Sequence, residues 1–453
     1  MKKIFYLKLL LIGFLVACKP KEPTRTLSAG SADFTRFVSV GDGHTAGYMD
    51  DALFSFGQEN SLGTILQRQL TVVGAQEPVL PWMGISNVGI NWSGQSRFKL
   101  GYKTDCQGYT SLSPVRMNAS GELEALITSA YNPYAKFTNF GVPGLRTIDL
   151  ASTLLGDPNN VNYNPFFGRI SLNQLNAPGS GSWSSFQENV FDGGFPTFCS
   201  IYIGIEDVLP FAKNGAALHP MSPIAGPPGL GFEQSLGQFC EQISAQNIKG
   251  VIATIPDLTS WPFFTTIPYN GLNLDDEKAA SLNQIYNPLG YSFNVGENAF
   301  MIEDPNAGMF GVRPAQPGER ILLSVPLDSV KCNQMGSVFP FRNEFVLTLA
   351  EISEIQTRIN EINAIIREKA ATYGFALVET QPLFAKLQSG LAFNGVLLST
   401  KFVSGGTFSL DGIHLNPRGN ALLANEFIKA INQKFNAKVP LINVLQYNSI
   451  LFP

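Results

Sequence analysis

Two residues near the C-terminus have the spacing of a general base and its orienting partner. Asp411 and His414 stand three apart in the run Ser-Leu-Asp-Gly-Ile-His-Leu-Asn-Pro-Arg-Gly, residues 409–419. At that separation the carboxylate can hold one imidazole tautomer while the other ring nitrogen faces a site. An Asp-x-x-His pattern is commonly an ordinary loop, so its meaning depends on its company. Asn416 as N-cap and Pro417 at the first helical position open a helix whose Ala424, Phe427, Ile428 and Ile431 face inward. His219, beside Pro220, has no constellation around it, and His44 reads as a polar turn residue.

The elements that must position such a pair follow an α/β order. A buried strand, Phe37 to Val40, runs into the turn Gly41-Asp42-Gly43, and Leu62, Ile65, Leu66 and Leu70 then recur at helical spacing. Lys136 to Gly144 reads as a second strand closing on a glycine turn, and Phe198 to Ile203 as a third, followed by Gly204-Ile205-Glu206-Asp207. Phe232 to Gln246 reads as a helix and Ile248 to Leu258 as the next strand. Thr348 and Glu351 form a capping box ahead of a helix with a stripe of Ile352, Ile355, Ile359, Ile362 and Ile366, which Gly374 ends. Phe375 to Glu379 supplies the last core strand. Phe393 to Phe408 is β-like but irregular, and a strand is expected over Arg320 to Val325.

Four of these turns together resemble the blocks of the SGNH (GDSL) hydrolases. The resemblance spans Phe37 to Ile431 and implies a three-layer, flavodoxin-like α/β fold with a parallel sheet and long loop insertions. It also assigns positions. The family writes its first turn Gly-Asp-Ser with serine as nucleophile, and this chain has Gly43 there. Gly144 falls where a backbone N–H serves the oxyanion. Glu206 falls where the family has the asparagine of Gly-x-Asn-Asp, whose amide also serves the oxyanion. Asp411 and His414 match the block that carries the base pair. A site without its attacking hydroxyl, and with an acid in place of an amide, implies lost acyl transfer and a binding role.

Three routes would restore chemistry. Thr45 would have to replace the serine, although the turn aims it away. A protonated Glu206 would donate a hydrogen bond while His414 activates water. Alternatively, Asp42, His44, Glu206 and His414 would converge on a divalent metal, which sequence spacing cannot show. Any of these would make the chain an esterase, lipase or acetylesterase acting on envelope lipid or carbohydrate esters. A lectin-like module that keeps the cleft for a glycan is a third reading. No cofactor is expected.

The N-terminus gives the location. Lys2, Lys3 and Lys8 precede the apolar run Leu9 to Ala17, too short to span a bilayer, and Leu15-Val16-Ala17-Cys18 resembles a bacterial lipobox. Cys18 is therefore the expected lipidation site, holding the protein to a membrane, with its face undecided. Pro326 to Cys332 resembles a stretch of Bacteroidetes-type lipoprotein members, which points to the outer membrane. An outer-membrane β-barrel or other envelope lipoproteins are the expected partners. With charged residues at only 15%, the surface fits a protein partly covered by something else, and a net charge of −4 offers no basic field for nucleic acid. Export places Cys106, Cys199, Cys240 and Cys332 where disulfides form, with the pairing left open. The expected division is a signal segment 1–18, a flexible tether 19–33, a domain 34–436 with insertions near 81–134, 149–197 and 259–345, and a C-terminal extension 437–453.

Overall fold

The computed structural model describes residues 26–84, 87–117, 130, 135–171, 186–191 and 196–453. Cys18 and its signal segment lie outside the described residues. Among the described residues no helix is long and apolar enough to cross a membrane.

The core is one parallel sheet. Its strands are β1 (Phe37–Gly41), β4 (Asn139–Gly141), β5 (Phe198–Tyr202), β6 (Lys249–Ala253) and β7 (Ala376–Val378). They lie in the order β7-β6-β5-β1-β4, every pair parallel. Counting these five in chain order, the arrangement is second, first, third, fourth, fifth, which is the flavodoxin-like winding expected. All residues of β1 and β5 are buried, as the unbroken apolar runs required. Register aligns Gly41 with Gly141 on one side and with Tyr202 on the other, so three strands end level. The winding reverses between β1 and β5, and a crevice opens there beyond the strand ends.

Helices cover both faces. A four-residue turn of helix, α1 (Gly43–Ala46), leaves β1. Then α2 (Leu62–Leu70) packs with α6 (Pro417–Phe435) on one face, and α3 (Phe232–Ala245) packs with α5 (Leu349–Tyr373) on the other. The capping box opening α5 is formed: Glu351 takes the Thr348 N–H at 2.7 Å, and the Thr348 hydroxyl takes the Glu351 N–H at 3.4 Å. Asn416 caps α6 by accepting the Gly419 N–H at 2.9 Å.

The insertions are folded parts. Residues 98–116 form an antiparallel hairpin, β2 (Phe98–Thr104) and β3 (Thr110–Arg116). A disulfide between Cys106 and Cys332 joins its turn to the short helix α4 (Leu327–Cys332), leaving Cys199 and Cys240 as free, buried thiols. The pairs Lys103–Asp328 at 2.8 Å and Lys331–Asp105 at 2.7 Å lie along the same seam. The third insertion carries two small apolar clusters of its own, one around Phe300, Ile321 and Phe341, the other around Leu282, Tyr286 and Met301. The strand expected over 320–325 is confined to Arg320–Ile321, which pairs with Val346–Leu347.

The tether expected over 19–33 is shorter at its C-terminal end. The Ser31 N–H donates to the Phe435 carbonyl at 2.8 Å, the Lys438 N–H donates to the Ser28 carbonyl at 2.8 Å, and Ala32 is buried. Residues after 436 are docked too, since Val439, Ile442 and Val444 are buried and Asn432 and Asn425 clamp the backbone at Val439 and Ile442.

Candidate active site

The level ends of β1, β4 and β5 bring the sequence blocks together. Asp42 caps α1, its Oδ1 accepting the His44 N–H at 3.0 Å, and Gly43 follows as the first helical residue. Across from it stands His414. A β-carbon built on Gly43 would lie 2.6 Å from Nε2 and 3.1 Å from Cδ2 of that ring, well inside van der Waals contact. The position to which the resemblance assigns the nucleophile therefore faces His414, but there is no hydroxyl and little room for one.

His414 is held from behind. Asp411 Oδ2 takes the Nδ1 proton at 2.9 Å, while Oδ1 accepts the N–H groups of Ile413 and His414, both at 2.8 Å, and the Ser409 hydroxyl at 2.9 Å. Burial alone would raise the Asp411 carboxyl, but His414 and these donors hold it well below the usual carboxylate range. For His414 burial works against charging, yet Asp411 outweighs it, with help from Glu206 and Asp42, and the imidazole is raised above its ordinary value. Only 8% of His414 is exposed, and the residue lines a cavity of about 1050 Å³.

Glu206 lies at the end of β5, half-buried and on the wall of the same cavity. Burial, and then Asp42, push its carboxyl up to about 7 against the opposing pull of His414 and Lys213. Near neutral pH it is thus divided between an anion and a neutral acid that can donate. Its neighbour Asp207 is buried, accepts the Thr147 N–H at 2.8 Å and is pushed up to about 6 by burial, which ties the β5 turn to the loop after β4.

Gly144 sits on that loop with φ +73°, a left-handed conformation that favours glycine. Trp92 covers it so closely that an added β-carbon would meet Cζ2 at 2.5 Å. Among the described residues neither the Gly43 nor the Gly144 N–H has a protein acceptor. The donor at Gly43 was not anticipated from the sequence, where only the lost side chain drew notice.

The routes back to chemistry fare differently. Thr45 packs against Gly41, at the end of β1, and is not among the residues lining the cavity. Among the described residues no group of three or more His, Cys, Asp and Glu side chains stands close enough to hold a metal, which removes the proposed set of Asp42, His44, Glu206 and His414. His44 is buried between the rings of His414, Tyr202 and Trp261, with centroids 5.0, 5.9 and 5.7 Å away. His219, set aside in the sequence, lines the cavity, as do Tyr48, Arg146 and Lys213.

One supporting turn gave almost no sequence signal. Asp50 and Asp51 both have positive φ, 54° and 56°, a conformation uncommon outside glycine. It lets the Asp51 N–H reach Asp411 Oδ2 at 3.1 Å, while Asp50 accepts the Leu410 N–H at 2.9 Å. Arg116, from the hairpin, pairs with the Asp51 carboxylate at 2.6 Å.

Strand order and the crevice at the switch point give the chain a flavodoxin-like α/β fold with a parallel sheet. No family model matches it, and no curated protein does. Among solved structures it is similar to LAE5, an alpha/beta hydrolase enzyme from the metagenome of Lake Arreo, Spain, at 12% identity over 88% of this chain and 96% of that one, with a TM-score of 0.35. It is similar to a putative GDSL-like lipase from Parabacteroides merdae at 11% identity over 90% and 99% of the two chains, TM-score 0.34. An extracellular lipase from Streptomyces rimosus follows at 13% identity over 65% and 78%, TM-score 0.26.

Proposed function

We propose that this chain is a non-hydrolytic relative of the SGNH esterases, held on the bacterial outer membrane by a lipid on Cys18 and acting as a binding or accessory subunit of an envelope complex. The observation that carries the reading is the contact between Gly43 and His414, which leaves the base facing backbone where an attacking oxygen belongs. Loss of a nucleophile leaves about 10³ to 10⁴ of acceleration over water from the remaining machinery. Asp411 has a structural reason to persist without catalysis, since it organises the turn at 409–414 and the Asp51 backbone.

An altered esterase is the competing reading. The intact Asp411–His414 pair at 2.9 Å, beside a carboxyl near neutrality at Glu206, favours it as a device for activating water. A panel of acetyl, short-chain and long-chain esters incubated with wild type and His414→Ala separates the two. The non-hydrolytic reading expects identical background rates from both proteins. Turnover by the wild type that disappears in His414→Ala would overturn it.

A further inference from the structure

The point where the chain enters the domain and the cleft lie at opposite ends of α6. That helix begins at Pro417, just after His414, and ends where the Phe435 carbonyl takes the Ser31 N–H at 2.8 Å. Its 19 residues cover about 28 Å at the helical rise per residue. The strands begin beside Phe435. Its ring meets that of Phe198, the first residue of β5, at 5.5 Å, and Lys249, the first residue of β6, donates to the Ser31 carbonyl and lies over the Phe435 ring. The chain therefore comes in at the foot of the sheet, while the cavity opens beyond the opposite ends of the strands.

The foot is basic with an apolar fringe. Lys249, Lys434 and Lys438 are all exposed there, and among the described residues neither Lys434 nor Lys438 has a carboxylate partner. Asp33, the acid of the entering segment, is occupied by the Thr35 N–H at 2.9 Å and the Thr35 hydroxyl at 2.7 Å. Leu27, next to Ser28, and Leu441, just past Lys438, are 48% and 51% exposed. Unpaired lysines with leucines between them suit the surface of a bilayer that carries anionic headgroups.

We propose that this foot is the membrane-facing surface of the protein, resting on a bilayer that contains anionic phospholipid, and that the cleft opens away from that bilayer. This rests on the lipid at Cys18 in the reading above. Ten residues lead from Cys18 to Ser28, and however they run they reach at most about 35 Å. With the foot on the bilayer none of that reach is needed. Laying the cleft on the bilayer would use about 28 Å of it in running back along α6, and drawing a chain out that far costs conformational entropy. The cleft thus receives its ligand from the aqueous side, with lipid of the anchoring leaflet out of its way.

The test is hydrogen exchange of the full-length, lipidated protein on vesicles of phosphatidylcholine alone and of phosphatidylcholine with about one-third phosphatidylglycerol, each compared with the protein in detergent micelles. On the mixed vesicles the amides of 28–36 and 434–442 are expected to exchange at least about threefold more slowly, with those of the cleft rim at 98–116 and 323–332 unchanged. Lys434→Gln combined with Lys438→Gln should remove most of that protection, while β1 and β5 stay protected and show that the variant is folded. Protection of the cleft rim, unchanged rates at both ends, or foot protection that is as large on phosphatidylcholine alone or survives the double variant would overturn the proposal. A protein that stays on neither kind of vesicle would overturn the lipid anchor, and the orientation with it.

Discussion

Gly43 and His414 face one another so closely that a β-carbon on the glycine would lie 2.6 Å from Nε2. The imidazole occupies space that a side chain at position 43 would need, and Asp411 prevents it from swinging clear. Gly43→Ala should therefore lower stability by roughly 1–3 kcal/mol, the ordinary cost of overpacking a well-packed site. Denaturant unfolding measures it. An unchanged midpoint would mean that the ring yields freely.

Glu206 supplies a pH test of stability. Its folded value is raised from the ordinary carboxyl range to about 7, so its contribution is greatest at acid pH. That contribution is lost as pH rises from roughly 4.3, where the unfolded chain ionises, to about 7. Asp50 and Asp207, each pushed up to about 6, act in the same direction. Glu206→Gln should leave stability at pH 5 nearly unchanged and raise it at pH 8 by roughly 1–3 kcal/mol. A variant destabilised equally at both would show that the carboxyl is held ionised.

How much of this was legible follows from which contacts are local. The unbroken apolar runs of β1 and β5, the isoleucine stripe of α5 with its capping box, and the Asn416-Pro417 helix start are short-range patterns, and the structure carries each of them. The block positions could be read because each is a turn after a strand or before a helix. The brace at Asp51 could not, because its partner Asp411 is 360 residues away and the turn depends on two non-glycine residues with positive φ. The third insertion hid its helix Asp276–Tyr286 for a different reason: its buried stripe is only Ala279, Leu282 and Tyr286, too short to stand out from the surrounding loop residues.

The disulfide was open in the sequence for the same reason of distance. Cys106 and Cys332 are 226 residues apart and join the hairpin to α4. Replacing either with serine should cost roughly 2–4 kcal/mol, the usual contribution of a bridge closing a long loop. Unfolding with and without reductant measures it, and wild type in reductant should match the variant.

Lipidation at Cys18 predicts a physical separation. The full-length protein expressed in a bacterium should enter the detergent-rich phase on Triton X-114 partition, and Cys18→Ala should remain in the aqueous phase. Equal partition of both would remove the anchor, leaving the reading of the cleft intact.

The most direct test asks whether the proposed loss of hydrolysis comes from the missing hydroxyl at Gly43. Wild type and the double variant Gly43→Ser, Glu206→Asn are treated with a fluorophosphonate and weighed intact by mass spectrometry. The double variant restores an oxygen opposite His414 Nε2 and an amide in place of the Glu206 carboxyl, at the same overpacking cost of roughly 1–3 kcal/mol as Gly43→Ala. The account predicts an adduct at position 43 of the double variant and none on the wild type. A labelled wild type, its adduct mapped to another residue of the cleft, would contradict it.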